Sequence, residues 1–208
     1  MKRTLLAAIA AAAIVVGVAA AAGPSLLHPA SLHAKAPAVF RVRFTTTKGP
    51  FVVTVHRKWA PLGADRFYNL ARAGFYEGQR LFRVVPGFVV QWGISGTPKI
   101  SRAWQHATIQ DDPVRHTNKR GTIVFADAGP NTRTTQVFVN LGTNTQLDKD
   151  GFAPFGVVTS GFATLQHLYH GYGEQPSADQ AQITQQGEAF FRKHFPKLDR
   201  ILKTHVLR

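Results

Sequence analysis

The chain has 208 residues, of which 44% are hydrophobic and 17% charged; this excludes a disordered protein and fits one ordinary domain with appendages. Its formal net charge is +14, but the basic residues are scattered and no stacking aromatics are interleaved with them, which argues against nucleic-acid binding. Cysteine is absent from the sequence, which excludes a disulfide, a thiol nucleophile and a cysteine-based metal site.

The N-terminus begins with Lys2 and Arg3, followed by an uncharged, alanine-rich apolar run at 5–22. A basic start, an apolar stretch and small residues at its end are typical of a secretory signal peptide. We therefore predict that 1–22 is a signal peptide or an uncleaved membrane anchor, with cleavage near Ala22 or later near Ala36. The rest of the chain would be exported, either to a periplasm or out of the cell.

Residues 23–37 are rich in proline, alanine and serine, which is the composition of a linker. No apolar periodicity is visible in this stretch. We therefore predict that it is a tether and that the domain at 38–208 folds without it.

The first predicted element of the domain is a β-hairpin at 39–56, where apolar and polar residues alternate on both sides of the turn sequence TKGP. A helix is predicted over 61–73, because its apolar residues recur every three or four positions. Short apolar segments separated by turn residues follow, which favours antiparallel strands in a barrel or sandwich. These segments lie at 81–85, 88–93, 121–126, 135–140 and 154–158. Helices at 161–170 and 178–194 and a last strand within 199–208 complete the prediction.

Familiar catalytic motifs are missing: the sequence contains no P-loop, Rossmann glycine motif, GxSxG or HExxH, and its nine histidines are dispersed. We therefore expect neither a metal ion nor a cofactor. Asp111 and Asp112 are adjacent, and adjacent side chains of a strand point to opposite faces. We interpret them as loop charges rather than as an acid–base pair or a cation site.

The segment LFRVVPGFVVQWG, residues 81–93, contains a single charge among apolar side chains. Together with 121–158, it predicts an open apolar pocket with few polar groups, which is typical of a small-ligand or peptide site. The side chains concerned are Arg83, Phe88, Gln91, Gln136 and Phe138. Periodicity alone leaves a second interpretation open, in which the arginine is an edge charge reaching water and the phenylalanines are ordinary core.

Both segments resemble the cyclophilin family of peptidyl-prolyl cis/trans isomerases. Residues 82–91, FRVVPGFVVQ, resemble the family's sequence of arginine, Pro-Gly-Phe and glutamine. Residues 125–132, FADAGPNT, and 136–139, QVFV, match a second family motif, and Leu147-Asp148 and Phe155-Gly156 follow in the family's order. The resemblance covers about residues 40–165.

The resemblance implies an all-β fold with helical caps: a closed antiparallel barrel of eight strands, two capping helices and, from an insertion at about 170–198, an extra helix before the last strand. It implies an isomerase of Xaa-Pro bonds that acts on proline-containing polypeptides, here exported proteins, and we expect a monomer. By position, the catalytic residues would be Arg83 and Gln91. The substrate-binding residues would be Phe88, Val89, Ala126, Asp127, Gln136, Phe138 and Leu147.

Some positions depart from the family pattern. Phe82 replaces a histidine, Trp92 a glycine and Ile94 an aspartate, while Val89 stands in place of methionine. Gln146 occupies the position of a tryptophan that contacts cyclosporin in many members, so we expect weak inhibition by cyclosporin. The catalytic arginine and the phenylalanines are kept, so the departures concern substrate preference and inhibitor sensitivity rather than activity. A second function stays open because residues alone do not separate it from catalysis: a module or chaperone that binds prolyl peptides without useful turnover.

Overall fold

The computed structural model describes residues 26–207 of the chain. The predicted signal peptide or anchor at 1–22 lies outside this range. Within the range, no helix combines the length and the apolar character that a membrane crossing requires.

The fold is an antiparallel sheet of eight strands, curled into a half-barrel, with short helices around it. The strands are β1 Val39–Thr46, β2 Gly49–His56, β3 Arg83–Val85, β4 Val89–Trp92, β5 Thr122–Phe125, β6 Val137–Asn140, β7 Pro154–Ser160 and β8 Ile201–Leu207. The helices are α1 Pro61–Arg72, α2 Pro98–Trp104, α3 Gln146–Lys149, α4 Phe162–Gln166, α5 Gln175–Ala178, α6 Gln180–Gln186 and α7 Glu188–His194.

Most of the predicted elements are confirmed. The hairpin, the helix after it and the last strand are present, and each of the five apolar segments contains a strand. The helix predicted at 178–194 is divided between α6 and α7, because Gly187 adopts φ 61° and a Cβ there would collide with the carbonyl oxygen of Gly96. Helices α2, α3 and α5 were not predicted from the apolar periodicity.

The closed barrel is the part of the fold prediction that the structure corrects. The strand order is β3-β4-β6-β5-β7-β2-β1-β8, and in the described range the end strands share no ladder. They are joined only where Arg80 bridges Arg200, with flanking hydrogen bonds such as that from the Leu81 amide to the Asp199 carbonyl, 3.0 Å. Beyond this bridge β3 packs against α5, so the line of contact between the two end strands, the seam, stays open.

The main core fills the concave face of the sheet with aromatic rings. The rings of Phe44 and Phe51 stack with centroids 4.8 Å apart, and Trp92 meets Phe44 edge to face at 5.5 Å. All three side chains are fully buried, each stabilising the fold by about 1.5–3 kcal/mol. The indole that departs from the family's glycine is therefore a core residue.

A second apolar cluster joins the insertion to the sheet. Phe82 and Ile94, two further departures from the family pattern, are buried in it. The residues that cover them come from α6, α7 and the segment after α7: Ile183, Phe190, Phe191, Phe195 and Leu198. These two positions are apolar because the insertion shields them from water.

A bidentate ion pair anchors the same insertion. The guanidinium of Arg80 binds both carboxylate oxygens of Glu188, at 2.5 and 3.2 Å, and donates to the Leu198 carbonyl at 2.7 Å. The Arg80 side chain is only 8% exposed. The insertion is thus part of the domain, held by both apolar and charged contacts.

The stretch predicted as a tether packs on the domain from residue 26 onward. Leu32 and Ala36 are buried in the main core. The Asn69 side chain accepts from the Ala34 amide at 3.0 Å and donates to the Ala34 carbonyl at 2.7 Å. The Ala36 amide donates to Asp65 at 2.9 Å. A linker composition hides this docking because the docking uses backbone groups and three isolated apolar side chains, Leu26, Leu32 and Ala36.

Asp65 also receives a bidentate ion pair from Arg57, at 2.7 and 2.8 Å. Burial alone would raise the pKa of Asp65, but the hydrogen bonds from Arg57 and from the Ala36 amide outweigh it and lower the pKa below its usual value. A lowered pKa in the folded state means that this carboxylate stabilises the fold above the unfolded-state pKa and loses the contribution as the pH falls through the folded-state pKa.

Leu32→Ala is expected to lower the free energy of unfolding by about 2 kcal/mol, because the side chain is buried in the main core. Urea unfolding followed by tryptophan fluorescence measures this change. Leu62→Ala is the matched control, since Leu62 is 42% exposed and should change stability by less than about 0.5 kcal/mol. Equal stability of the Leu32 variant and the unmodified chain would show that residues 26–37 are a tether after all.

Candidate functional site

The predicted site residues converge on one cavity of about 200 Å³. It lies where β3, β4 and β6 meet the loop after β5 and helix α3. The predicted residues that line it are Arg83, Phe88, Val89, Gln91, Ala126, Asp127, Phe138 and Leu147. Gln136 lies behind them and reaches the site through hydrogen bonds. Three further lining residues were not predicted from the sequence: Phe152, Ser177 and Gln180.

The strand register brings the polar and the apolar parts of the site together. In the β3–β4 ladder Arg83 lies opposite Gln91, and in the β4–β6 ladder Gln91 lies opposite Phe138. The apolar wall has a buried base of Val89, Val124 and Phe138, against which the other apolar lining residues pack. A guanidinium therefore borders an apolar cavity.

The turn between β3 and β4 places Phe88 on the wall. Gly87 takes φ 76°, a conformation that favours glycine, and the Phe88 amide closes the turn on the Val85 carbonyl at 3.0 Å. The carbonyl of Phe88 accepts from the Leu141 amide at 2.8 Å and from the Asn144 side chain at 3.0 Å. These bonds fix the backbone of the aromatic wall.

A chain of side-chain hydrogen bonds holds the arginine in place. Arg83 Nη1 donates to Gln91 Oε1 at 3.1 Å, and Gln91 Nε2 donates to Gln136 Oε1 at 2.9 Å. Gln136 in turn donates to Gln180 at 2.8 Å. The other guanidinium nitrogen, Nη2, donates to Glu174 Oε1 at 2.6 Å. The site's polar groups are thus pre-positioned by one another.

The surroundings of Arg83 bear on the second interpretation, that of an edge charge reaching water. Its side chain is only 23% exposed, and its guanidinium carbon lies 5.2 Å from the centroid of the Phe88 ring. Its Nε atom is buried without a hydrogen-bond acceptor. This geometry favours an arginine kept at the cavity over one that extends into solvent.

The loop from 126 to 136 forms the rim beside Ala126 and Asp127. Asp127 accepts from the Gly129 amide at 3.1 Å, and burial, with repulsion from Asp111 as a smaller cause, raises the pKa of Asp127. Asn131, with φ 60°, exchanges two hydrogen bonds with Asp111: its amide donates at 2.7 Å and its side chain accepts at 2.9 Å.

Asp111 and Asp112 lie in a loop, as predicted, but Asp112 is not a solvated charge. It is buried, and it accepts from the amides of Leu62 at 3.0 Å and Gly63 at 2.8 Å. These amides belong to the first turn of α1, whose own N-cap, Ala60, offers no side-chain acceptor. Arg133, at 3.1 Å from Asp112, completes a buried network that joins the rim loop to α1.

Two of the three lining residues that were not predicted, Ser177 and Gln180, come from the insertion, as does the ion-pair partner Glu174. No local pattern announces their contacts, because Glu174 is 91 positions from Arg83. Among residues 26–207, no group of three or more histidine, aspartate or glutamate side chains is arranged to hold a metal ion.

Comparison with known proteins gives concordant matches. The family model "Cyclophilin type peptidyl-prolyl cis-trans isomerase/CLD" matches residues 41–188. The peptidyl-prolyl cis-trans isomerase ppi1 of Schizosaccharomyces pombe is 31% identical over 131 residues, which cover 61% of this chain and 83% of the relative. Peptidyl-prolyl cis-trans isomerase-like 1 of Aspergillus oryzae is 32% identical over 148 residues, covering 68% and 91%.

Two crystal structures of a cyclophilin type peptidyl-prolyl cis-trans isomerase from Cryptosporidium parvum share the fold. The first has a TM-score of 0.59 at 20% identity and covers 82% of this chain and 98% of that one. The second, obtained in the presence of the dipeptide Ala-Pro, has a TM-score of 0.58 at 19% identity and covers 81% and 99%. At such identity, the likeness concerns the fold.

Proposed function

Since this chain belongs to the cyclophilin-type peptidyl-prolyl cis-trans isomerase family, EC 5.2.1.8, we propose that the cavity beside Arg83 is the site where it isomerises Xaa-Pro bonds. The observation that carries the proposal is a guanidinium fixed by Gln91 at the edge of an apolar cavity. The substrates are proline-containing polypeptides. The Ala-Pro dipeptide used with the Cryptosporidium parvum protein supports this substrate class.

The reaction asks for a site that stabilises a twisted amide. Conjugation gives the Xaa-Pro bond double-bond character, and rotation about a peptide bond faces a barrier of about 18–20 kcal/mol. Neither a nucleophile nor a metal is needed to lower this barrier. What is needed is a surface that binds the twisted bond more tightly than either planar form.

The residues of the cavity suit this task. Phe88 and Phe138 hold the pyrrolidine ring while the residue before the proline rotates. Arg83 donates to the prolyl carbonyl oxygen and faces the prolyl nitrogen, whose lone pair becomes localised as conjugation is lost. A charged donor acts more strongly in such a partly desolvated setting than in water. Gln91 holds the guanidinium in its orientation beforehand, so no reorganisation is needed during the reaction.

The experiment that tests the proposal is exchange NMR on a short Xaa-Pro peptide with catalytic amounts of the protein. Accelerated cis–trans exchange that saturates with peptide concentration is the expected result. Saturable binding with unchanged or slowed exchange would instead identify the protein as a prolyl-peptide binding module. Exchange measured directly avoids a coupled protease, whose own sequence preference would complicate the comparison of peptides.

The proposal extends to location: we infer that the protein is exported, to a periplasm or out of the cell, and that it acts as a monomer on exported polypeptides. The basic start and apolar run at 1–22 support export. The docking of Leu32 and Ala36 in the core supports cleavage near Ala22, because a cut near Ala36 would remove a buried leucine.

A mature chain that begins close to Gly23 is therefore expected. Intact-mass measurement of the protein recovered from the exported fraction of expressing cells checks this. A mature chain beginning near Ala36 would contradict the docking of residues 26–37 as a permanent part of the domain. Recovery of the unshortened chain in membranes would identify 1–22 as an anchor.

A further inference from the structure

The insertion forms one wall of the site. Helix α5 packs against β3, and Ser177 and Gln180 line the cavity. Two of the site's polar side chains bond directly to this wall: Arg83 to Glu174 and Gln136 to Gln180. Residues from the insertion therefore meet any peptide that reaches the guanidinium.

The charge at this wall differs from that of the protein as a whole. The chain carries a net charge of +14, so its general field attracts acidic peptides. At the cavity, the carboxylate of Glu174 lies 2.6 Å from the guanidinium, and 60% of the Glu174 side chain is exposed. The carboxylate offsets the charge of Arg83 and is more exposed than the arginine, 60% against 23%, so it is the charge that an approaching peptide meets first.

Glu174 is not needed to attach the insertion. The ion pair of Arg80 with Glu188 and the apolar cluster around Phe82 already hold it. An ion pair with so exposed a carboxylate also contributes little to stability. The position of Glu174 has its main effect on what binds next to Arg83.

We propose that Glu174 is a specificity-determining residue, which makes the site favour a basic residue and disfavour an acidic one beside the substrate proline. This inference rests on the proposed isomerase function of the cavity. Two unit charges a few ångström apart in a solvated cleft change an affinity by roughly five- to tenfold. The preference is therefore a bias between peptides rather than an absolute requirement.

The test compares peptides that differ only in the residue next to the proline, which is lysine, alanine or glutamate. One set varies the residue before the proline and a second set the residue after it. For each peptide, kcat/KM is measured by exchange NMR at low ionic strength. The protein is compared with Glu174→Gln, which keeps an acceptor for Arg83 while removing the charge.

In the unmodified protein, kcat/KM is expected to be higher for the lysine peptide than for the glutamate peptide in at least one set. Glu174→Gln should lower the lysine-to-glutamate ratio by roughly fivefold or more, and about 0.5 M salt should weaken the preference. The matched control is Glu77→Gln, in the loop after α1, which loses the same charge at a carboxylate that binds the Thr204 amide rather than the cavity. The control should leave the ratio unchanged.

The outcomes separate this inference from the function on which it rests. If the alanine peptides are isomerised but the ratio stays within about twofold in both sets, Glu174 does not set specificity, although the isomerase function stands. An equal fall in the ratio with Glu77→Gln would overturn the inference too, because the effect would then belong to net charge. If the unmodified protein accelerates no peptide, the proposed function fails and the inference with it.

Discussion

Arg83→Ala is expected to lower kcat/KM for Xaa-Pro isomerisation by about two to three orders of magnitude, the range for loss of one preorganised donor. The guanidinium is the only cation lining the described cavity, and Gln91 and Glu174 hold it on two sides. Exchange NMR on the alanine peptide measures the change. The free energy of unfolding should change little, because the Arg83 side chain lies at the edge of a cavity rather than in the core.

Arg83→Lys should restore little of this activity, because an ammonium lacks the planar fork that reaches Gln91, Glu174 and the substrate together. The matched control is Arg72→Ala, which removes an exposed arginine of α1 that lies over the ring of Tyr68. The control should retain normal exchange rates. A folded Arg83→Ala variant with an unchanged rate would end the assignment of Arg83 as the catalytic donor.

Asp112→Ala is expected to give the largest loss of stability, about 3–5 kcal/mol, the range for removing one partner of a buried ion pair. The substitution leaves Arg133, whose side chain is 5% exposed, with the partly exposed Asp111 as its remaining ion-pair partner. It also removes the acceptor of two amides in the first turn of α1. Urea unfolding monitored by far-UV circular dichroism measures the loss.

Asp111→Ala provides the matched comparison for this prediction. Asp111 lies next to Asp112 and also meets Arg133, at 3.1 Å, but its side chain is 36% exposed. Its removal should cost about 1 kcal/mol or less, the range for exposed pairs. Equal losses for the two variants would mean that burial and the α1 amides contribute nothing beyond the ion pair.

The parts of the fold that sequence analysis predicted well are those governed by local periodicity. The hairpin of β1 and β2 follows from alternation within one short stretch, and α1 from apolar spacing within one helix. The lining of the cavity by Arg83, Gln91 and Phe138 follows from two segments whose order resembles a known family. Motif position was enough to predict that these side chains meet, because the pairing of strands β3, β4 and β6 fixes which residues lie opposite each other.

The parts that could not be predicted depend on contacts between distant segments. Asp112 resembles a loop charge until α1 is seen to lack an N-terminal acceptor 50 positions earlier in the chain. The docking of Ala34 on Asn69 spans 35 positions and uses backbone groups that have no sequence signature. The prediction of a closed barrel was wrong for the same reason, because the sequence around β3 does not show that α5 packs against this strand.

The open seam has a consequence for solubility. A half-barrel leaves two strand edges whose free backbone groups can pair with another molecule, the route by which sheet proteins aggregate. Helix α5 obstructs the edge at β3, and β8, at the opposite end of the sheet, carries the exposed, polar or basic Lys203 and His205. Because the insertion lies against one of these two edges, we expect a chain with a shortened insertion to be more prone to edge-to-edge association.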